Sequence, residues 1–156
     1  MLPPPPAAAA ADHVTGLESR AVLEVFLRQT FLPNDAASGP RAANAGPQLS
    51  MLIVDVIGLK AVNKRDGFLA GDSLLRAAAD RLRDAGGQAN LLARLGGDEL
   101  VAVFTGLNAG ALAQQACKTL AEAITPPFLR TSAIAASPND TPGALIERLY
   151  TAVRIS

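Results

Sequence analysis

The chain has 156 residues, of which 49% are hydrophobic, so it is long and apolar enough for one domain with a substantial core and is not disordered as a whole. Lysine plus arginine and aspartate plus glutamate number 14 each, and this balance removes the broad electrostatic argument for binding to nucleic acid or a membrane surface. The single cysteine, Cys117, excludes an intrachain disulfide and fits a reducing, cytoplasmic compartment, while the single histidine, His13, excludes a histidine metal cluster.

Residues 1–11 are dominated by proline and alanine and lack the basic start of a signal peptide, which predicts a linker or a disordered N-terminus. No apolar stretch reaches the roughly 20 residues that a membrane span needs, so we expect no direct membrane contact from this segment. If the chain is a module excised from a longer protein, a sensor, an effector domain or a membrane anchor would lie outside it.

The first predicted elements are a helix, a loop and a strand. Apolar spacing predicts a helix over 14–31, which Ser19 would cap. Residues 34–48 are rich in alanine, glycine, proline and asparagine, and they predict a mobile loop. A continuous apolar run over 49–57 predicts a buried central strand, with Asp55 near its C-terminal end.

The rest of the chain alternates helical and extended patterns. Helical periodicity predicts three further helices, over 69–85, 108–124 and 142–153. Between them, an apolar run over 91–104 predicts a β-hairpin and 128–136 predicts a short strand. The order helix, strand, helix, hairpin, helix, strand, helix predicts one α/β sandwich over 12–156, in which helices flank a central mixed, largely antiparallel sheet.

The most informative stretch is the turn of the predicted hairpin, where Gly96 and Gly97 are followed by Asp98 and Glu99. A strand interior has no favourable place for two neighbouring acids, so we expect both carboxylates at the tip of the hairpin or just beyond it. There they invite a divalent metal, because Mg²⁺ is typically held by one or two carboxylates together with substrate phosphates. Asp55, from the neighbouring strand, is able to face the same ion.

Each of these residues also has a purely structural interpretation. Asp55 alone can be a buried acid satisfied by backbone donors, and Asp72 alone can cap the helix that follows it. Lys60 can belong to a solvated face, and Gly96-Gly97 can be only a turn. It is the joint pattern of these residues that favours a functional site.

The ordered set of motifs resembles the GGDEF domain family, the diguanylate cyclases. Residues 55–72 read Asp-Val-Ile-Gly-Leu-Lys-Ala-Val-Asn-Lys-Arg-Asp-Gly-Phe-Leu-Ala-Gly-Asp, and residues 94–100 read Arg-Leu-Gly-Gly-Asp-Glu-Leu, the signature hairpin. Residues 12–20 are similar to the segment with which the family's domain begins. The resemblance implies a nucleotidyl-cyclase-like fold and a role in bacterial second-messenger signalling.

The resemblance also implies a metal site and a reaction. Asp55 and Asp98 would hold Mg²⁺ or Mn²⁺ with help from the backbone carbonyl of Val56, and Glu99 would hold a second ion or position the attacking hydroxyl. The implied reaction condenses two GTP molecules to cyclic di-GMP with release of pyrophosphate, in a homodimer whose half-sites face each other.

The resemblance further implies which residues would bind GTP. Gly58, Leu59 and Lys60 would form a phosphate loop, and Lys60 would act in catalysis with the two acids of the signature. Asn63 and Asp72 match the family's guanine-reading positions.

Several positions depart from the family pattern. Ile57, Lys64, Phe68 and Leu100 replace the usual residues. Val153 stands where the family has a phosphate-binding lysine, and the C-terminal part is atypical and shortened. The alternative is therefore a degenerate, catalytically inactive module that binds GTP or a partner and acts as a regulatory domain. A more distant alternative is a purely structural dimerisation domain.

The inhibitory product site of the family is not expected here. Its Arg-x-x-Asp motif falls on residues 87–90, which read Gly-Gln-Ala-Asn and offer neither a guanidinium nor a carboxylate. We therefore predict no tight binding of cyclic di-GMP at that position.

Overall fold

The computed structural model describes residues 11–31 and 48–155. In these ranges it has five helices: α1 (Arg20–Phe31), α2 (Leu59–Asp66), α3 (Phe68–Ala85), α4 (Ala109–Ala121) and α5 (Pro142–Arg154). It also has four strands: β1 (Leu49–Val56), β2 (Leu91–Arg94), β3 (Glu99–Thr105) and β4 (Leu129–Ala135). The predicted linker at 1–11 and loop at 34–48 lie outside the described residues, apart from Ala11 and Gln48. None of the described helices combines the length and apolar character that crossing a bilayer demands.

The four strands form one sheet in the order β2-β3-β1-β4, and every pair of neighbours is antiparallel. A parallel contact is added at the β2 edge by an isolated bridge between Glu18 and Ala93. The run over 49–57 is confirmed as a central strand, since β1 is paired on both sides. Its continuous apolar sequence follows from that position, because both faces of the strand are buried.

Helices cover both faces of the sheet, so the predicted sandwich with a largely antiparallel sheet is confirmed. Helices α3 and α4 pack on one face, where the side chains of Leu52, Val54 and Val56 lie. Helices α1 and α5 pack on the other face, against Met51 and Ile53. Because side chains alternate along a strand, Asp55 belongs to the α1/α5 face.

The first helix begins later than its apolar pattern predicts, at Arg20 and not at residue 14. The segment before it is a turn, in which the backbone N–H of Thr15 donates to the Asp12 carboxylate at 2.8 Å and Gly16 has a φ of 74°. Asx-type side-chain bonding of this kind competes with helix formation. The predicted cap is confirmed, since Ser19 Oγ accepts from the N–H of Val22 at 3.3 Å.

Helix α2 was not predicted, and its composition explains why. Only Leu59 of its eight residues is buried, so the segment has no apolar periodicity to reveal it. It lies between Gly58 and Gly67, whose φ values of 82° and 89° place both in conformations that favour glycine. These two glycines allow a short polar helix to stand between β1 and α3.

Candidate functional site

Three carboxylates meet at the end of the two central strands. Asp55 is the penultimate residue of β1, and its partner across the sheet is Glu99, the first residue of β3. Asp98 precedes that strand, and its carbonyl accepts from the N–H of Val56 at 2.9 Å. One carboxylate oxygen from each acid lies within 4.8 Å of the others. The structure thus brings together the acids singled out in the sequence, from positions 43 residues apart.

Asp55 lies in an electrostatically unfavourable position for a carboxylate. Burial raises the pKa of Asp55 above its ordinary value, and the negative charge of Asp98 adds to the effect. Arg130 and Lys60 oppose the rise in this pKa, with Arg130 Nη1 lying 3.7 Å from Asp55 Oδ2. Carboxylates that repel one another in this way gain from a bound cation.

The Glu99 carboxylate contacts Tyr150 and lies against the backbone of Gly96. The hydroxyl of Tyr150, on α5, donates to Glu99 Oε1 at 3.3 Å. A Cβ at Gly96 would lie 2.2 Å from the same oxygen, so the carboxylate occupies space that only a glycine leaves open. Gly97 is different, because a Cβ there meets nothing within 4 Å. The two glycines of the signature turn therefore have different structural roles.

The predicted phosphate loop is the connection from β1 to α2. Gly58 precedes the helix in a left-handed conformation, with φ 82° and ψ 7°, and no side chain caps the helix. Leu59 is buried beneath this turn, while Lys60 is exposed. The first N–H groups of a helix lack internal partners and favour an anion. A cation at Lys60 adds to that preference.

The two predicted guanine-reading residues lie across the contact between α2 and α3. Asn63 Oδ1 is buried without a hydrogen-bond partner among the described residues. It sits where a side chain at Gly71 would be, since a Cβ there would lie 1.6 Å from this oxygen. Asp72 follows Gly71 and is half-buried. A buried acceptor left unpaired costs about 1–3 kcal/mol, so this position suits a ligand that brings a donor.

The donor set fits a hard divalent cation. Carboxylate oxygens are the ligands that Mg²⁺ and Mn²⁺ prefer, and the three acids supply them at one point. The unpaired Asn63 oxygen lies on the neighbouring helix. The acidic cluster and the unpaired Asn63 oxygen thus lie at the same end of the sheet.

Two residues beside the acids were missed by sequence reasoning. Arg130 is brought to Asp55 by the register of β4, and Tyr150 is brought to Glu99 by the packing of α5. Arg130 belongs to no motif singled out in the sequence, and Tyr150 lies in the C-terminal segment that was compared with the family only for its missing lysine. Their spacing from the acids becomes informative only once the strand order is known.

Two positions at which the sequence departs from functional residues of the family pattern, Val153 and Asn90, have structural roles here. Val153 is 4% exposed and belongs to the apolar cluster on the α1/α5 face. Asn90, the last residue of the segment where an inhibitory site was not expected, uses its side-chain oxygen to accept from the N–H of Thr105 at 2.9 Å. This bond ties the segment before β2 to the end of β3.

Comparisons with known proteins point to one family. The family model described as "Diguanylate cyclase, GGDEF domain" matches residues 9–138. Diguanylate cyclase TpbB of Pseudomonas aeruginosa PAO1 is 34% identical over 148 residues, covering 86% of this chain and 32% of that protein. Protein y4lL of Sinorhizobium fredii is 36% identical over 119 residues, covering 75% of this chain and 13% of that protein. The chain therefore spans only a fraction of the length of these relatives.

Solved structures give the same picture. A sensory box/GGDEF family protein from Caulobacter crescentus has a TM-score of 0.67 at 30% identity, covering 94% of this chain and 96% of that chain. The GGDEF domain of DgcB from Caulobacter crescentus, solved with c-di-GMP, has a TM-score of 0.75 at 17% identity, over 100% of this chain and 92% of that chain, and supports the fold alone. On the family match and the identity to TpbB, this chain belongs to the GGDEF domain family of diguanylate cyclases.

Proposed function

We propose that this chain is a diguanylate cyclase module that condenses two GTP molecules to cyclic di-GMP with release of pyrophosphate. The observation that carries the proposal is the meeting of Asp55, Asp98 and Glu99, with one carboxylate oxygen from each within 4.8 Å of the others. The left-handed Gly58 turn lies directly after the same strand. An acidic cluster beside an anion-favouring helix start is the arrangement that a metal–nucleotide complex requires.

Asp55, Asp98 and Glu99 would hold Mg²⁺ or Mn²⁺, with the carbonyl of Val56 as a further oxygen ligand. A divalent cation bound there would neutralise charge on phosphoryl oxygens and lower the pKa of a nearby hydroxyl. Gly58, Leu59 and Lys60 bind and orient the phosphates through backbone N–H groups and one side-chain cation. Asn63 and Asp72 bind the guanine base.

The reaction forms two phosphodiester bonds between the same two GTP molecules. The 3′ oxygen of one GTP forms a bond to the α-phosphorus of the other. The bond from that phosphorus to the oxygen that it shares with the β-phosphate breaks, and pyrophosphate leaves with the electron pair. Glu99, which Tyr150 holds at 3.3 Å, is the carboxylate available to receive the hydroxyl proton. A second transfer closes the ring. Since one chain offers one acidic cluster in its described part, the active form is a homodimer that brings two bound GTP molecules together.

The test is product formation. The purified chain is incubated with GTP and MgCl₂ at high protein concentration, and cyclic di-GMP and pyrophosphate are measured by chromatography and a coupled assay. Asp98→Asn should abolish both products. Asp80→Asn, whose carboxylate is 72% exposed and paired with Arg83 on α3, is the matched control and should behave like the unchanged chain. A verified dimer that binds GTP without forming product would contradict the proposal.

A degenerate regulatory module is the second candidate, and Val153 favours it. This side chain is packed in the apolar cluster on the α1/α5 face, where it brings no charge to a triphosphate. Such a module would bind GTP, or a domain elsewhere in the full-length protein, without turnover. Calorimetry with GTP together with the product assay separates the two candidates, because a regulatory module that binds GTP shows saturable binding while no product accumulates.

A further inference from the structure

Arg130 is the cation placed beside the acidic cluster by the sheet itself. Asp55 has Glu99 as its partner on β3 and Arg130 as its partner on β4, so the three residues form a row across the sheet. Arg130 Nη1 lies 3.7 Å from Asp55 Oδ2, and the arginine side chain is 43% exposed. A positive charge therefore borders the cluster on the side opposite Glu99.

The guanidinium of Arg130 is held only weakly. The separation of 3.7 Å from Asp55 is longer than a hydrogen bond, and in the described part of the chain no hydrogen bond from this guanidinium is found. Arg94, by contrast, donates to three separate oxygens. An exposed, long ion pair contributes little to stability, so the five N–H donors of Arg130 remain available for a ligand.

Arg130 also lies next to the Gly58 turn. The carbonyl of Phe128 accepts from the N–H of Ile57 at 3.0 Å, which fixes the start of β4 beside the connection from β1 to α2. Arg130 is two residues further along the chain. The weakly held cation, the anion-favouring turn and the acidic cluster thus occupy the same end of the sheet.

We propose that Arg130 binds the triphosphate of the nucleotide at the acidic cluster and makes the site prefer a metal–nucleotide complex to a free divalent cation. A guanidinium so close to Asp55 repels a bare cation and attracts phosphate oxygens, with which it forms bidentate hydrogen bonds. This inference rests on the proposed function for the identity of the ligand. It assigns to β4 a phosphate-binding role that does not depend on α5.

The experiment compares the unchanged chain with Arg130→Gln by calorimetry in MgCl₂. The probe is the α,β-methylene analogue of GTP, in which the bond between the first two phosphates cannot be cleaved, and guanosine is the reference. Arg130→Gln should weaken binding of the analogue about ten-fold and leave guanosine binding unchanged. Arg130→Lys, which retains the charge, should recover part of the loss. Free Mn²⁺, counted by electron paramagnetic resonance, should bind Arg130→Gln at least as tightly as the unchanged chain.

The control is Arg148→Gln, because Arg148 has the same 43% exposure but pairs with Asp140 near the start of α5. This variant should bind the analogue like the unchanged chain. Equal losses for the analogue and guanosine, weaker Mn²⁺ binding by Arg130→Gln, or no analogue binding by the unchanged chain would each overturn the inference. The probe cannot react, so failure to synthesise cyclic di-GMP is a separate result that bears on the proposed function.

Discussion

Arg94 joins the turn before the first helix to the signature turn through Asp12. Arg94 Nη1 lies 3.0 Å from Asp12 Oδ1, while its Nε and Nη2 donate to the carbonyls of Gly96 and Gly97 at 3.1 and 2.8 Å. Asp12 in turn accepts from the N–H and the hydroxyl of Thr15. One guanidinium therefore connects the N-terminal end of the described domain with the turn that presents Asp98 and Glu99.

The Arg94–Asp12 pair should contribute measurably to stability. Both side chains are mostly buried, with 21% and 18% exposure, so solvent screens their interaction less than that of a surface pair. A double-mutant cycle with Arg94→Gln and Asp12→Asn, followed by urea unfolding, should give a coupling of roughly 1.5–3 kcal/mol. The exposed Arg20–Glu24 pair is the control and should give about 0.5 kcal/mol or less. A coupling at Arg94–Asp12 no larger than the control value would contradict the expectation.

The same pair should make stability sensitive to acid. Burial alone would raise the pKa of Asp12, but hydrogen bonds from Thr15 and Arg94 outweigh burial and hold this pKa below its ordinary value of 3.8. A carboxyl with a depressed folded pKa stabilises the protein above its unfolded pKa, and this stabilisation is lost as the pH falls through the folded pKa. Unfolding curves measured from pH 6 downward should therefore show a loss below about pH 4 that is smaller in Asp12→Asn. Parallel curves for the two proteins would refute this.

Asp55 should have the opposite effect on stability. Burial and Asp98 raise its pKa above 3.8, so the folded state binds a proton here more tightly than the unfolded state does. The metal-free protein thus gains stability from this group as the pH falls through the raised pKa. At neutral pH the ionised Asp55 carboxylate destabilises the folded state to its full extent. Asp55→Asn should therefore raise the free energy of unfolding at pH 7 in EDTA, while binding of Mn²⁺ is lost.

Asp80→Asn, on the surface of α3, is the control for Asp55→Asn. It should change neither the free energy of unfolding nor the binding of Mn²⁺. The ion pair of Asp55 with Arg130 is long and exposed on the arginine side, so its loss offsets little of the gain. Lower stability of Asp55→Asn in EDTA would mean that this carboxylate is a structural group and not a metal ligand under strain.

The fold and the acidic cluster were largely predictable because their signals are local. The run around Asp55 is apolar on both faces, and the two acids of the signature follow a glycine pair at a turn, so strand, hairpin and acids were placed from short stretches. Helix α2 was missed because packing buries only one of its residues. Arg130 and Tyr150 were missed because their positions depend on strand register and helix docking, which connect residues far apart in the chain.

The two glycines of the signature turn should respond differently to substitution. Gly96→Ala places a methyl group 2.2 Å from Glu99 Oε1, so the carboxylate must shift from the position in which it joins the acidic cluster. Gly97→Ala meets nothing within 4 Å and is the matched control from the same turn. In Mn²⁺ titrations without nucleotide, Gly96→Ala should weaken binding about ten-fold, the loss expected for one carboxylate contact, and Gly97→Ala should bind like the unchanged chain. Equal effects of the two variants would show that Glu99 does not need the space at Gly96.

Gly71→Ala should disturb the proposed guanine-binding position of Asn63 without unfolding the domain. An alanine in the interior of a helix is normally stabilising by about 0.5–1 kcal/mol relative to glycine, but here its Cβ would lie 1.6 Å from Asn63 Oδ1. The side chain of Asn63 must then leave the buried position in which its oxygen is unpaired. We expect guanosine and GTP to bind Gly71→Ala about ten-fold more weakly while Mn²⁺ binding without nucleotide is retained. Gly143→Ala, in the first turn of α5 with no atom within 4 Å, is the control. Asn63 belongs to α2 and is not one of the three acids of the cluster. A variant that loses binding of guanosine and Mn²⁺ together would therefore show a general disruption of this end of the sheet and would contradict the expectation.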